Sequence, residues 1–279
     1  MYLGTVAASI LGYLIGSVSF SIIIVYLKTR NDIREHGSKN AGATNVSRVL
    51  GKKWGLAIVG LDMLKVLLTA VIAMAINTIP SPLVDQTNFI IPAFFALVGH
   101  CYPIYYKFKG GKAVSCILAI ALLTNIMLFV IFMVVFLLVS MTTRRISPAS
   151  IVSAVAVSAI CFVPQIYGID SYILDGSVAF GQAYDHGYYW LNFSNAAHVW
   201  NAATPANKNG PFYDSMLTYQ IVVVLSSILL IWKHRANIVR IFKGTEPIFF
   251  EFNKEKQAEK KKARLEQLEK INQKKKVAE

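Results

Sequence analysis

Long apolar runs separated by short polar blocks dominate the chain, and the runs are too long and too evenly apolar for the faces of soluble helices. The first extends from Tyr2 to Leu27 without a charge, more than the roughly 20 residues that carry a helix across the hydrocarbon. Others follow at Trp54–Ile79, interrupted by Asp62 and Lys65, then at Phe89–Tyr106, Ala113–Met141, Ser147–Pro164 and Met216–Trp232. The pattern predicts an all-α, polytopic integral membrane protein. Between 165 and 215 and again beyond Glu251 it gives way to polar sequence, predicting a large extramembrane loop and a charged tail.

The polar blocks sort by charge. Lys28 to Lys53 holds seven basic residues against Asp32 and Glu35, Lys107–Lys112 is basic, and so are Arg144–Arg145 and Lys233–Lys243. By the positive-inside rule these face the cytoplasm. The Pro80–Asp85 turn and the 165–215 loop, with four aspartates against Lys208, face outward. The first run has its positive charge after it instead of before it, unlike a signal peptide, so it stays as a span with the N-terminus outside.

One run resists simple counting. Ala113–Met141 is basic on both flanks, and as a single helix it would be roughly 43 Å long, too long for one crossing and too short for two. Its polar pair Thr124–Asn125 predicts a hairpin that turns at Asn125, shielded by neighbouring helices. The count becomes about seven passes, two of them short, with the C-terminus cytoplasmic. Asp62 and Lys65, one turn apart inside a span, read as a buried ion pair.

Composition agrees. The 279 residues are 55% hydrophobic and 15% charged with a net charge of +13, against roughly 45–50% and 25% in soluble domains. The surplus charge is concentrated in the cytoplasmic blocks and the tail, which favours a polyanion site at the membrane surface over nucleic-acid binding. The three cysteines, Cys101, Cys116 and Cys161, stand singly in apolar sequence. They predict neither a disulfide scaffold nor a metal site, and no metal or cofactor is expected.

Three cytoplasmic blocks carry candidate chemistry. GSKNAGATNVSR, Gly37–Arg48, sets Ser38, Asn40, Thr44 and Asn45 among small residues; such loops make ordinary turns, and they also bring amides close to an oxyanion, with Arg48 adding a charge-assisted contact. KFKGGK, Lys107–Lys112, brackets Gly110 and Gly111 with lysines at the mouth of an apolar helix, where amides, dipole and Lys112 could converge on a phosphate. It lacks Walker spacing, so no nucleotide is implied. In KHRANIVRIFKGTE, Lys233–Glu246, His234 and Asn237 share a helix face at interface depth.

In this order and topology the blocks resemble the bacterial acyl-phosphate-dependent glycerol-3-phosphate acyltransferase family (PlsY-type), over about Tyr2–Glu246. The resemblance implies an enzyme of phospholipid biosynthesis with a membrane domain over 1–250, a loop insertion at 165–215 and a cytoplasmic tail at 251–279. Its activity would be acyl transfer from acyl phosphate to the 1-hydroxyl of glycerol 3-phosphate, giving 1-acylglycerol 3-phosphate (lysophosphatidic acid) and phosphate. Ser38, Arg48, His234 and Asn237 match the family's essential residues. Asn40, Thr44, Asn45, Gly110 and Gly111 fall on its substrate-binding loops, Lys107 or Lys112 would pair with phosphate, and Ser147 resembles a site-lining serine. Glu246 fits a structural partner for nearby basic residues. Lys39 and Ala113 depart from the family pattern, each standing where glycine is usual, and altered loop stiffness with retained activity is expected.

None of His36, His100, His186, His198 or His234 begins the HxxxxD pair that other glycerolipid acyltransferases resemble one another in. Direct attack by the glycerol hydroxyl is therefore expected, with His234 as proton acceptor or orienter, or a substrate phosphate oxygen as the acceptor. Without the resemblance, a phosphate or organophosphate transporter is the alternative; it would place more charge at mid-membrane and show repeat symmetry.

Overall fold

A computed structural model of the chain describes residues 3–84, 87–163 and 216–250, with isolated helical positions between 259 and 269. The regular secondary structure of the described residues is all helical, without strands. Most of the expected outer loop and tail lies outside them. In order the helices are α1 (Leu3–Ser17), α2 (Phe20–Thr29), α3 (Ala43–Val49), α4 (Lys52–Asn77), α5 (Ile90–Cys101), α6 (Val114–Thr124), α7 (Ile126–Thr143), α8 (Ile146–Ile160), α9 (Met216–Lys233) and α10 (Arg235–Phe242), with single 3₁₀ turns at Ile33–Glu35 and Ile104–Tyr106.

Leu3–Thr29, Lys52–Asn77 and Ile126–Thr143 are each long and apolar enough to cross a membrane, and the pair Thr218–Lys233 plus Arg235–Phe242, bent by 59°, makes a fourth candidate. Three shorter apolar helices cover Ile90–Tyr106, Val114–Thr124 and Ile146–Ile160. Glycines let these helices pack closely: a Cβ on Gly16 of α1 would overlap the backbone of Ala96 in α5, and one on Gly99 would overlap the carbonyl of Tyr13. Such small-residue contacts replace the hydrophobic drive that helices lack in lipid.

The first apolar run contains a break that its sequence pattern did not predict. Ser19 is extended, at φ −99° and ψ 95°, and begins α2. The Ile22 and Ile23 amides both bond to Ser19 O, so the carbonyl of Val18 loses its helical partner. It accepts from Lys65 Nζ at 3.1 Å instead. Inside a membrane an orphaned carbonyl costs several kcal/mol, and the lysine of α4 removes that cost.

Asn125 ends α6 and caps α7, accepting from the Met127 amide at 2.7 Å. Both ends of the α6–α7 unit come to one face of the bundle. Lys112, just before α6, and Ser147, just after α7, bond to the same Asn237 side chain. The chain thus reverses at Asn125, and the turn is covered by protein, with Thr124 and Asn125 each 1% exposed. At 11 residues, α6 reaches only about 16 Å, roughly half the hydrocarbon depth.

The same contacts gather the basic blocks. Tyr13 and Ser17 of α1 meet Tyr102 and Ile104, and Lys233 donates to Cys101 O at 2.9 Å. At the opposite end Thr5 bonds to Asn88, Asn77 to Thr87, and Gln220 to Cys161. The 28–53, 107–113, 144–147 and 233–247 segments therefore share one face.

Candidate active site

At that face lies a cavity of about 530 Å³, with Ser38, Arg48, Lys112, Ser147, His234 and Asn237 on its wall. The Gly37–Arg48 block is shaped by Asn45. Its Oδ1 accepts from the Ser38 amide at 2.8 Å, and its Nδ2 donates to the carbonyls of Ile33, His36 and Asn40 at 3.1, 2.8 and 3.1 Å. Every polar atom of this buried side chain is engaged, and the residue does not line the cavity. Gly37 is left-handed at φ 58°, where a Cβ would overlap Asn45 Oδ1. Asn40, Thr44 and Arg48 do reach the cavity wall. Burial pulls the Arg48 guanidinium below its ordinary value, and its ring contact is Phe249, 5.9 Å from the centroid.

The second block divides differently from the sequence expectation. Lys107 is exposed and off the cavity, whereas Lys112 lines it. Gly110 and Gly111 are not among the lining residues, and the Gly111 amide, expected to face an anion, donates to His100 O at 3.0 Å. The glycines serve close packing: a Cβ on Gly111 would overlap the His100 ring, and one on Gly110 the His100 carbonyl. Ala113 has φ 64° and Lys39 has φ 57°. Both departures from the family pattern thus occupy left-handed positions, where glycine carries no Cβ penalty.

The third block supplies a network. Asn237 Oδ1 accepts from Lys112 Nζ at 2.5 Å, while its Nδ2 donates to Ser147 Oγ at 2.7 Å and Glu246 Oε1 at 2.8 Å. Ser147 Oγ donates to the same Glu246 oxygen at 2.5 Å, and Arg240 Nε bonds to Oε2 at 2.9 Å. Burial pushes Glu246 up, but the hydrogen bonds from Ser147, Asn237 and Arg240 outweigh it and hold the carboxyl below its usual range. Glu246 thus pairs with a nearby basic residue, Arg240, as expected, and it also lines the cavity.

Burial, with the Arg240 charge acting the same way, lowers the Lys112 ammonium to about 8. His234, in the bend between α9 and α10 at the basic face, is lowered to about 4, first by burial and then by Lys112. Its Nδ1 lies 2.9 Å from Leu230 O. A carbonyl only accepts, so Nδ1 carries the proton of the neutral ring and Nε2 keeps its lone pair.

Arg240, Asp62 and His100 also line the cavity and were not singled out from sequence as site residues. Arg240 was discoverable, lying three residues beyond Asn237 within the quoted block. Asp62 and His100 belong to helices whose register toward the site only packing reveals. The cavity lining also includes the apolar side chains of Leu56, Val59, Val114 and Phe136. The site thus joins anion-binding groups to a surface suited to hydrocarbon. Among the described residues no cluster of His, Cys, Asp or Glu has metal-binding form.

Comparison with known proteins gives a consistent result. Residues 6–244 match the family model described as glycerol-3-phosphate acyltransferase. The chain is 42% identical over 251 residues to the glycerol-3-phosphate acyltransferase of Mycoplasma mycoides subsp. mycoides SC, covering 89% of this chain and 94% of the relative. It is 32% identical over 240 residues to that of Staphylococcus aureus strain Newman, covering 85% and 94%. Among solved structures it resembles PlsY (YgiH), an integral membrane glycerol 3-phosphate acyltransferase in its glycerol 3-phosphate form, with a TM-score of 0.61 and 26% identity, covering 88% of this chain and 96% of that one. The lysophosphatidic acid form shares the fold, with a TM-score of 0.58 at 24% identity and coverage of 88% and 94%.

Proposed function

The chain belongs to the glycerol-3-phosphate acyltransferase family, and from that premise we propose that it moves a fatty acyl group from acyl phosphate to the 1-hydroxyl of glycerol 3-phosphate. The products are 1-acylglycerol 3-phosphate and inorganic phosphate. The observation that carries this reading is the meeting of Arg48, Lys112, Ser38, Ser147, His234 and Asn237 around one cavity that also has an apolar side. Two phosphates repel each other, and a site that gathers them needs more than one cation.

In the proposed step the glycerol oxygen bonds to the acyl carbon, the bond from that carbon to the phosphate oxygen breaks, and phosphate leaves with the electron pair. The hydroxyl proton passes to Nε2 of His234 or to a phosphate oxygen. Arg48 and Lys112 hold the phosphates while Ser38 and Ser147 orient the glycerol. Asn237 fixes Lys112, and Asn45 acts indirectly by shaping the loop that carries Ser38. A phosphate leaving group needs little acid assistance, so positioning supplies most of the rate. In the bilayer, the four long candidate spans and three short apolar helices would make seven passes. The N-terminus lies outside and the site faces the cytoplasm, where both water-soluble phosphate and membrane-held chain have access.

The test is an assay of purified protein with labelled glycerol 3-phosphate and either palmitoyl phosphate or a palmitoyl thioester. Labelled monoacyl product with palmitoyl phosphate alone is expected; product only with the thioester overturns the donor. A His234→Ala enzyme that keeps near-normal turnover at saturating substrate eliminates His234 as obligatory base and leaves the substrate phosphate as the acceptor.

A further inference from the structure

Three buried polar groups beside the cavity, two of which line it, take no part in the chemistry above. Asp62 and Lys65 of α4 and His100 of α5 are 2%, 3% and 7% exposed. Asp62 Oδ1 lies 3.0 Å from Lys65 Nζ and 3.4 Å from His100 Nδ1. Lys65 Nζ is also 3.0 Å from His100 Nδ1 and 3.1 Å from Val18 O. Nδ1 thus faces both an ammonium, which only donates, and a carboxylate, which only accepts. The sequence predicted the Asp62–Lys65 pair; His100 as its third member emerges only from packing.

A buried ion pair is a poor device for stability alone, since its desolvation cost matches or exceeds its Coulomb gain. Ionisable side chains within membrane helices are costly enough that they usually have a function. This cluster touches two strained or irregular segments. Through Lys65 it satisfies the carbonyl freed at the break in the first span. Through His100 it meets the Lys107–Ala113 loop, whose Gly111 amide bonds to His100 O and whose Gly111 Cα packs so near the ring that a Cβ has no room.

That loop contains three left-handed residues other than glycine, Lys107 at φ 55°, Phe108 at φ 58° and Ala113 at φ 64°. Left-handed backbone is disfavoured for any residue with a Cβ, and such conformations persist only where the surroundings hold them. The next residue after Gly111 is Lys112, whose Nζ reaches across to Asn237. We propose that Asp62, Lys65 and His100 form a positioning cluster that fixes the Lys107–Ala113 loop and thereby places Lys112 for a substrate phosphate. The proposal rests on the acyl-transfer reading of the cavity. The cluster acts through the loop, and its three residues are positioning residues.

The test uses the full-length protein in detergent or nanodiscs and two readouts: steady-state kinetics for glycerol 3-phosphate, and hydrogen exchange of the 107–113 segment. The Asp62→Asn/Lys65→Met double variant removes both charges together, so neither is stranded. It is expected to raise KM about tenfold with kcat changed less than about threefold, the signature of lost phosphate binding by a displaced group, and to speed exchange in the loop. His100→Phe, which keeps a ring but no nitrogen, is expected to do the same. Should the double variant fail to fold, Gly111→Ala decides, because its Cβ overlaps the His100 ring and breaks the contact between loop and cluster while both cluster charges stay, and it is expected to give the same KM and exchange changes. Wild-type KM and wild-type loop exchange in the folded variants overturn the proposal. A wild-type protein without transfer activity instead removes the acyl-transfer reading, and loop exchange alone then decides whether the cluster positions the loop.

Discussion

Lys112 is the side chain on which most of the site's electrostatics converge, with burial and Arg240 lowering its ammonium to about 8. The folded site thus favours the neutral amine, and a substrate phosphate favours the charged one. Below pH 8 the free site holds the ammonium; above it, binding must supply a proton first. KM for glycerol 3-phosphate is therefore expected to climb as pH rises from 7 to 9, and in Lys112→Arg, where the charge persists, the climb is expected to move to higher pH. Lys112→Met is expected to lower kcat/KM by the worth of a charged hydrogen bond, about 1.5–3 kcal/mol, at pH 7, and by less toward pH 9, where the wild-type ammonium is itself lost. At Lys39, left-handed at φ 57° and exposed, substitution by glycine is expected to raise stability by about 0.5–1 kcal/mol with activity unchanged, read by thermal unfolding in detergent. The sequence pointed to these positions through residue type and spacing. It could not separate Lys107 from Lys112, because two lysines in one block differ only in where the backbone between them turns, and that turn depends on His100, outside the block.

The helices were legible in proportion to their length. A long apolar run fixes its own identity because every backbone group must be satisfied internally in lipid, and the spans around Lys52–Asn77 and Ile126–Thr143 fall where the hydropathy puts them. The break at Val18–Ser19 was not legible, since its partner Lys65 lies 47 residues away. Short α3 was hidden for a similar reason: its Thr44 and Arg48 line the cavity, and its apolar Val46 and Val49 are buried against the rest of the fold. The α6–α7 reversal was legible because charge on both flanks forbade a single crossing, and Asn125 supplied a cap. Asn125→Ala is expected to cost about 1–2 kcal/mol, seen as a lower unfolding temperature. An unchanged midpoint would mean that packing alone sets the turn.

At the scale of the whole molecule, the basic blocks and the candidate site occupy one face of the bundle, which ties topology to chemistry. On the proposed acyl-transfer reading, the basic residues that would orient the chain in the membrane would also build the field that draws two phosphates to it. An orientation error would then separate the site from its soluble substrate even if every contact within the cavity were kept. This link makes sidedness a test of function, and the chain is suited to it because Cys101, Cys116 and Cys161 are all buried. A membrane-impermeant thiol reagent should leave the parent protein unlabelled in intact cells. Lys109→Cys, on the basic face, is expected to react only after permeabilisation, and Leu83→Cys, exposed at the opposite end, to react before it. Labelling of both from one side would break the seven-pass reading, because Lys52–Asn77 and Ile90–Tyr106 place those two positions at opposite ends of the same helices. Reversal of the two would keep the pass count, turn the cavity outward, and remove the reason for assigning it a cytoplasmic phosphate substrate.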